Sequence, residues 1–283
     1  MVRNLRAAYS MLSPSILWLL LFLLIPLIII FIISFTINGG YGETIYQFSV
    51  ESYKMAFSSL YAKIIWNSIV VAFNTTIICL IIAYPFAYFI VHAGKWKNLL
   101  LILVMIPFWS NLVIRLYAWI IILNQDGVIN TALQGLGIIS EPLSLLYTDG
   151  AVLVGMVYGF LPFMILPIYS SIEQLDKTYL EAAEDLGASP VKTFLKVTLP
   201  LTMPGILAGV IITFIPALSV FVTTDLLSGG NLVMIGNVIR DAFMAEMNWQ
   251  FGSALAMLLM GLVLLSVLLF ARFTSSEDKK LLL

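Results

Sequence analysis

The apolar positions in this chain neither alternate nor form narrow stripes; they run together into long blocks. Six blocks reach the roughly 20 residues that a helix needs to cross the hydrocarbon layer of a bilayer. They lie at about 14–37, 64–91, 98–123, 151–172, 203–228 and 251–273. Apart from Arg272 at the inner end of the sixth, only the third and fifth hold a formal charge, Arg115 and Asp225. Segments apolar on every side predict membrane-spanning helices rather than surface helices. Arg3 and Arg6 precede the first block as they would in a signal peptide. Its apolar run is too long for a signal core and no A-x-A site follows, so it is expected to be retained.

The polar residues between the blocks orient them. With the N-terminus inside, Arg3, Arg6, Lys95, Lys97, Lys177, Lys192, Lys196, Arg272, Lys279 and Lys280 fall on the cytoplasmic side. Only Lys54, Lys63 and Arg240 fall outside. The excess of inner cations predicts that both termini are cytoplasmic. The outer loop 125–150 has Asp126, Glu141 and Asp149 but no Lys or Arg. Pro26, Pro85, Pro107, Pro162, Pro167 and Pro216 lie inside the blocks and favour bends. Bends suit a protein that opens and closes, although proline is also simply commoner in membrane helices.

Composition narrows the function. Of 283 residues, 61% are hydrophobic and 10% charged, which points to a lipid bilayer as the surrounding solvent rather than one soluble core. A net charge of −1 gives no electrostatic basis for nucleic-acid binding. One cysteine, Cys79, and one histidine, His92, exclude an internal disulfide, a Cys-rich zinc site and an HExxH site. Cys79 reads as a small packed hydrophobe. There is no GxxxxGK[ST] loop, so any ATP and Mg must be bound by another chain, and no cofactor is expected on this one. The outer loops are too short for a receptor domain, which leaves substrate capture to a separate protein. The whole chain, 1–283, is expected to form one transmembrane domain.

One inner segment stands out, the loop 173–202 between the fourth and fifth blocks. Asp176 is a plausible N-cap, good helix formers follow to Leu186, and Gly187 fits a left-handed C-terminal position. Ser189 and Pro190 suit the cap and first residue of a second helix, and Pro200 and Pro204 are expected to break the chain before the fifth block. Tyr179, Leu180, Ala183 and Leu186 can share one helix face, with Ala182 and Ala183 permitting close approach and Glu181, Glu184 and Asp185 forming an acidic rim. A lipid-surface helix would favour Lys and Arg there instead. The pattern predicts a rigid helix–turn–helix that inserts into a cleft on a partner.

Glu181, Ala182, Ala183, Gly187, Leu199 and Pro200 match EAA-x3-G-x11-LP, and the chain resembles the permeases of ATP-binding-cassette importers that carry this signature. YPFAYFI (84–90), IPFWSNLVIRLYAW (106–119), LPFMILPIYSSIEQLD (161–176), IGNVIRDAF (235–243) and WQFGSALAM (249–257) are similar to the PotB-type spermidine/putrescine permeases of that family. The resemblance implies an all-α integral membrane protein of the type I (MetI-like) importer fold with six transmembrane helices in a bacterial inner membrane. It implies a non-catalytic subunit working with an ATPase dimer, a second, PotC-like permease and an extracytoplasmic polyamine-binding protein. The ATPase contact would comprise Tyr179, Leu180, Glu181, Ala182, Ala183, Asp185 and Gly187.

For the path itself, charge and aromaticity nominate Trp109, Asn111, Arg115, Tyr117, Tyr158, Phe221 and Asp225. Aromatic faces and carboxylates suit a long polyamine cation. Charges at this depth call for a partner or for water, so Arg115 and Asp225 are expected either to pair or to line one aqueous route. The plainer alternatives are interfacial placement of Asp225, snorkelling of Arg115 and ordinary packing of the aromatics. The amphipathic segment 235–243 reads as an outer helix, either a gate or docking element or a lid on the bundle. An ion-driven secondary transporter of small organic cations is the competing class. It would need an intramembrane ion site, for which Asp225 is the sole acidic candidate.

Overall fold

The computed structural model describes residues 12–40 and 42–281, with side chains as far as Leu268. Arg3 and Arg6, used above to orient the chain, lie outside the described residues, as do the side chains of Arg272, Lys279 and Lys280. In chain order the elements are α1 (Leu12–Ile33), β1 (Ile37–Gly40), β2 (Glu43–Ile45), α2 (Glu51–Ala56) and α3 (Ser59–His92). There follow α4 (Lys97–Met105), α5 (Leu112–Leu123), α6 (Val128–Gly135), α7 (Asp149–Glu173) and α8 (Lys177–Asp185). The last are α9 (Pro190–Leu201), α10 (Met203–Ser219), α11 (Val222–Leu227), α12 (Ile235–Met244) and α13 (Trp249–Leu281). Five described stretches are long and apolar enough to cross a membrane, namely α1, α3, α5 taken with α6, α7 and α13 as far as Leu268, or six if α9 and α10, bent by 60°, count as one span.

Two blocks depart from the continuous spans expected of them. The stretch 98–123 is interrupted: a 3₁₀ turn, Ile106–Trp109, ends α4, Ser110 is extended, and α5 starts afresh. Pro107 donates no backbone hydrogen bond, and the Asn111 carboxamide oxygen accepts the Val113 N–H at 2.8 Å, so a new N-terminus competes with a continuous helix. The stretch 203–228 breaks after Ser219, where Val220 is extended, and α11 follows as a separate short helix. The first block ends at Ile33; residues near its expected end form the antiparallel hairpin β1–β2, a small addition to an otherwise helical fold.

The chain divides into two compact units. One holds the described residues up to Lys63 together with Val238–Leu262. In it the Ser34 hydroxyl donates to the Phe31 carbonyl and lies 2.8 Å from the Tyr53 hydroxyl, while Phe35 packs on Tyr53 and Phe48. Phe251 packs on Tyr61, and the Phe243 ring lies where a Cβ on Gly252 would sit. The apolar residues of α12 that were expected to share a face, including Ala242 and Phe243, thus turn inward. The membrane-length window of α1 has no buried residue, so it offers its whole surface to lipid or another chain.

The other unit, Ile64–Asn237 with the remainder of α13, is organised by α3, α7 and α10. Small residues on α3, namely Ala72, Thr76, Cys79, Ala83 and Ala87, are buried in a strip that lets neighbours approach closely. On α10, Gly205 and Gly209 stand four residues apart against α7. A Cβ on Gly205 would lie 2.4 Å from Ser171 Cβ and 2.7 Å from the Pro167 carbonyl oxygen. One on Gly209 would lie 2.7 Å from Met164 Sδ. This is the small-xxx-small solution to packing where lipid removes the hydrophobic drive between helices. The resulting core gathers Cys79, Ala83, Tyr84, Met164, Ile168 and Ile206.

Candidate coupling surface and translocation path

The loop after α7 folds as its punctuation dictates. Asp176 Oδ1 accepts the Thr178 N–H at 2.9 Å and the Thr178 hydroxyl at 2.7 Å, capping α8. These bonds hold the Asp176 carboxyl below the usual carboxylate range. At the far end Gly187 has φ +77°. Its N–H donates to Glu184 O at 2.8 Å, and the Ala188 N–H donates to Ala183 O at 3.0 Å. That pair of bonds is a Schellman termination. Nothing lies within 4 Å of a Cβ built on Gly187, so the glycine answers to backbone conformation and not to space. Ser189 does not cap α9 through its side chain; its carbonyl accepts the Thr193 N–H, and Pro190 opens the helix as expected.

The expected shared face of α8 is split. Leu180 and Ala183 turn inward and are half-buried, whereas Tyr179 and Leu186, seven residues apart, point out. Leu186 is 89% exposed, and the exposed Val191 and Leu195 of α9 extend the apolar surface. Glu181, Ala182 and Asp185 are also exposed. Leu180, Glu181 and Glu184 line a cavity of about 350 Å³ behind the helix, together with Tyr88, His92 and Lys97. Lys97 pairs there with Glu173, and that carboxylate, followed by Tyr169, raises the lysine above its ordinary range.

The break before the fifth block falls at Thr202, not at Pro200. A π-helical turn, Phe194–Thr198, precedes Pro200 and absorbs its missing hydrogen bond, so α9 continues through the proline. Thr202 is fully buried at the 60° bend. Its hydroxyl donates to Thr198 O at 2.8 Å, and so accepts from the Tyr84 hydroxyl at 2.9 Å. Tyr84 of α3 therefore touches the joint between the coupling segment and α10.

The candidate path residues do not form one cluster. Arg115, Phe108, Tyr158 and Trp119 do come together. The Arg115 guanidinium carbon lies 4.9 Å from the Phe108 ring centroid and 5.8 Å from that of Tyr158, and Trp119 meets Tyr158 edge to face. Arg115 Nε and Nη1 are buried without a hydrogen-bond partner. Trp109, at the break between α4 and α5, is 88% exposed, and Tyr117 is exposed too. Asn111 serves as the α5 cap. Asp225 is exposed and accepts from Asn237 Nδ2 at 2.6 Å. Arg115 and Asp225 form no ion pair: the restart of α5 turns Arg115 onto aromatic faces, and the end of α10 puts Asp225 on a separate helix. Phe221, half-buried, accepts the Thr224 hydroxyl and the N–H of Asp225 at its carbonyl. Sequence reasoning missed Tyr84, Thr202 and Asn237. Tyr84 and Thr202 are polar positions within apolar segments, the signal that flags them, whereas Asn237 lies on the amphipathic α12 and carries no such mark.

Residues 94–275 match the family described as the binding-protein-dependent transport system inner membrane component. The chain belongs to this family. It is 44% identical over 262 residues to the spermidine/putrescine transport system permease protein PotB of Haemophilus influenzae, covering 92% of this chain and 91% of that one. It is 39% identical over 264 residues to the PotB protein of Escherichia coli, covering 93% and 96%. Among solved structures, a bacterial alginate ABC transporter in complex with an alginate pentasaccharide-bound periplasmic protein has a chain that aligns with a TM-score of 0.80 at 18% identity, covering 96% and 95%. That likeness carries the fold alone. The chain is thus a multi-pass permease subunit of an importer, the non-catalytic part of such a machine, with the permease fold its signature implied.

Proposed function

We propose that this permease forms half of the translocation path of an ATP-binding-cassette importer for polyamines, spermidine or putrescine, in a bacterial inner membrane. The single observation that carries the mechanism is the coupling helix α8. It is locked at both ends by the Asp176 cap and the Gly187 termination, and it offers Tyr179 and Leu186 outward beside exposed Glu181, Ala182 and Asp185. A rigid helix with an exposed apolar patch is a surface built for a partner. The partner is an ATPase dimer, which binds the ATP and Mg while this chain binds neither. The assembly is completed by a PotC-like permease and an extracytoplasmic polyamine-binding protein, with both termini of this chain in the cytoplasm. The identity to proteins named for spermidine/putrescine transport, over more than nine-tenths of the chain, supports the substrate class.

In this reading, closure of the ATPase dimer moves α8 and α9, and the Thr202 joint passes the motion to α10 and α3. The breaks at Ser110–Asn111 and Val220 let the outer halves of the bundle re-orient. Trp109, Asn111, Tyr117, Phe221 and Asp225 then contact the passing cation, while Arg115 and Tyr158 shape its wall. The test is spermidine uptake by vesicles holding the reconstituted complex. Uptake should require ATP, the ATPase and the binding protein. Uptake driven by an ion gradient with this chain alone would place it among secondary transporters and defeat the proposal.

A further inference from the structure

We infer that Arg115, backed by the N-terminus of α5, is the electrostatic barrier that keeps small inorganic cations from leaking through the permease; this rests on the reading of the chain as lining a polyamine path. Arg115 lies within the third apolar block, where an uncompensated charge is costly and marks a function. Its Nε and Nη1 are buried and have no hydrogen-bond partner. No described acid forms an ion pair with it. The guanidinium is seated instead on ring faces, 4.9 Å from the Phe108 centroid and 5.8 Å from that of Tyr158. Ring faces steady a guanidinium without cancelling its charge. A carboxylate from another chain could meet Nη2 at most in this arrangement, so the two-pronged pairing that best neutralises an arginine is closed to it.

The backbone adds to this charge. Ser110 is extended and α5 starts afresh with Asn111 as its cap, so a helix of 12 residues begins inside the apolar block and turns its positive end into it. Asn111 Oδ1 accepts the Val113 N–H at 2.8 Å but brings no negative charge, whereas the cap of α8 is a carboxylate, Asp176. Arg115 follows one turn later, its N–H donating to Asn111 O at 3.2 Å, so the side-chain charge and the helix end act at one level. An arginine and the positive end of a half-helix are two devices by which pores exclude cations. The same charge opposes a polyamine, which carries several positive charges, more strongly still, so the barrier must move aside when substrate passes. Phe108 precedes the break and Arg115 follows it. Re-orientation at Ser110 therefore parts the ring from the guanidinium, and an inorganic cation drives no such change.

The test is potassium and chloride leak from vesicles holding the complete transporter without ATP, with rates normalised to assembled permease. One fixed charge about 8 Å from a monovalent cation, at an effective dielectric constant of about 20, holds it back about thirtyfold. Arg115→Gln should therefore raise the potassium leak about thirtyfold and leave the chloride leak where it was. Arg115→Lys keeps the charge and should leak like the unaltered complex. Asn111→Asp keeps the cap but makes the helix end negative, and should raise the potassium leak alone. Equal rises for potassium and chloride would show a packing defect and overturn the inference, as would an unchanged potassium leak in Arg115→Gln or a leak in Arg115→Lys equal to that in Arg115→Gln. If Arg115→Gln fails to assemble, Asn111→Asp decides, and an unchanged potassium leak there overturns the inference. ATP-driven spermidine uptake by the unaltered complex is read in the same vesicles. Its absence would sink the polyamine reading, whereas uptake with an unchanged leak in the variants would sink this inference alone.

Discussion

Replacing Thr202 by valine keeps the shape of the buried side chain but removes the hydroxyl that accepts from Tyr84 and donates to Thr198 O. Tyr84 is only 9% exposed, so its hydroxyl loses its acceptor with little access to water. A buried polar group left unpaired costs about 1–3 kcal/mol. Hydrogen bonds measured inside membrane bundles reach about 1.7 kcal/mol, so about 1–2 kcal/mol is expected for Thr202→Val. Tyr84→Phe removes only the donor, because Thr202 still donates to Thr198, and should cost about 0.5–1 kcal/mol. The double variant strands no tyrosine hydroxyl and should be more stable than Thr202→Val alone. Thermal unfolding of the purified complex reads this, at about 2–4 °C per kcal/mol for a chain of this size. The bond also ties α3 to the joint between coupling segment and α10, so the ratio of ATP hydrolysed to substrate imported should rise in both single variants. A double variant that loses the sum of the two single costs would refute the argument.

Glu181→Lys should leave the permease inserted and α8 folded, since Glu181 caps neither end, but should uncouple ATP hydrolysis from uptake by roughly tenfold or more, the scale of a charge reversal at a partner surface; normal uptake contradicts the docking role. Asp176 is held below the ordinary carboxylate range, so its cap contributes fully above the unfolded value and is lost as pH falls through the folded one. Coupling in the unaltered transporter should therefore be flat from about pH 8 to about pH 5 as far as this group is concerned, whereas Asp176→Ala lowers it across that range and Asp176→Asn preserves it. Equal losses from Asp176→Ala and Asp176→Asn would show that the capping oxygen is not what matters. Reversing both Arg115 and Asp225 should not restore uptake lost in either single reversal, because the two side chains form no ion pair; restored uptake would show that they meet in another state of the cycle.

The elements whose causes are local were legible in the sequence. Asp176, Gly187 and Pro190 act within a turn of themselves, and α8 begins and ends, and α9 begins, where those residues require. Membrane-length helices followed from unbroken apolar runs, because a bilayer imposes one length on any segment that crosses it. The burial of Cys79 followed from its apolar setting. The breaks were less legible. Pro107 marked a bend, but the fresh start at Asn111 depended on its side chain folding back to Val113, and the continuation of α9 through Pro200 depended on the five-residue π turn Phe194–Thr198.

The sequence by itself determined that this chain spans a membrane and that the loop between the fourth and fifth apolar blocks holds two helices hinged at glycine. Only the tertiary structure decided who meets whom. It set Arg115 on Phe108 and Tyr158 instead of Asp225, gave Asp225 to Asn237, and joined Tyr84 to Thr202 across 118 residues of chain. Caps and spans depend on neighbours a few residues away, which the order of residues states directly. Side-chain partners across helices depend on where each helix breaks and rotates, and a break of a single turn redirects every side chain that follows.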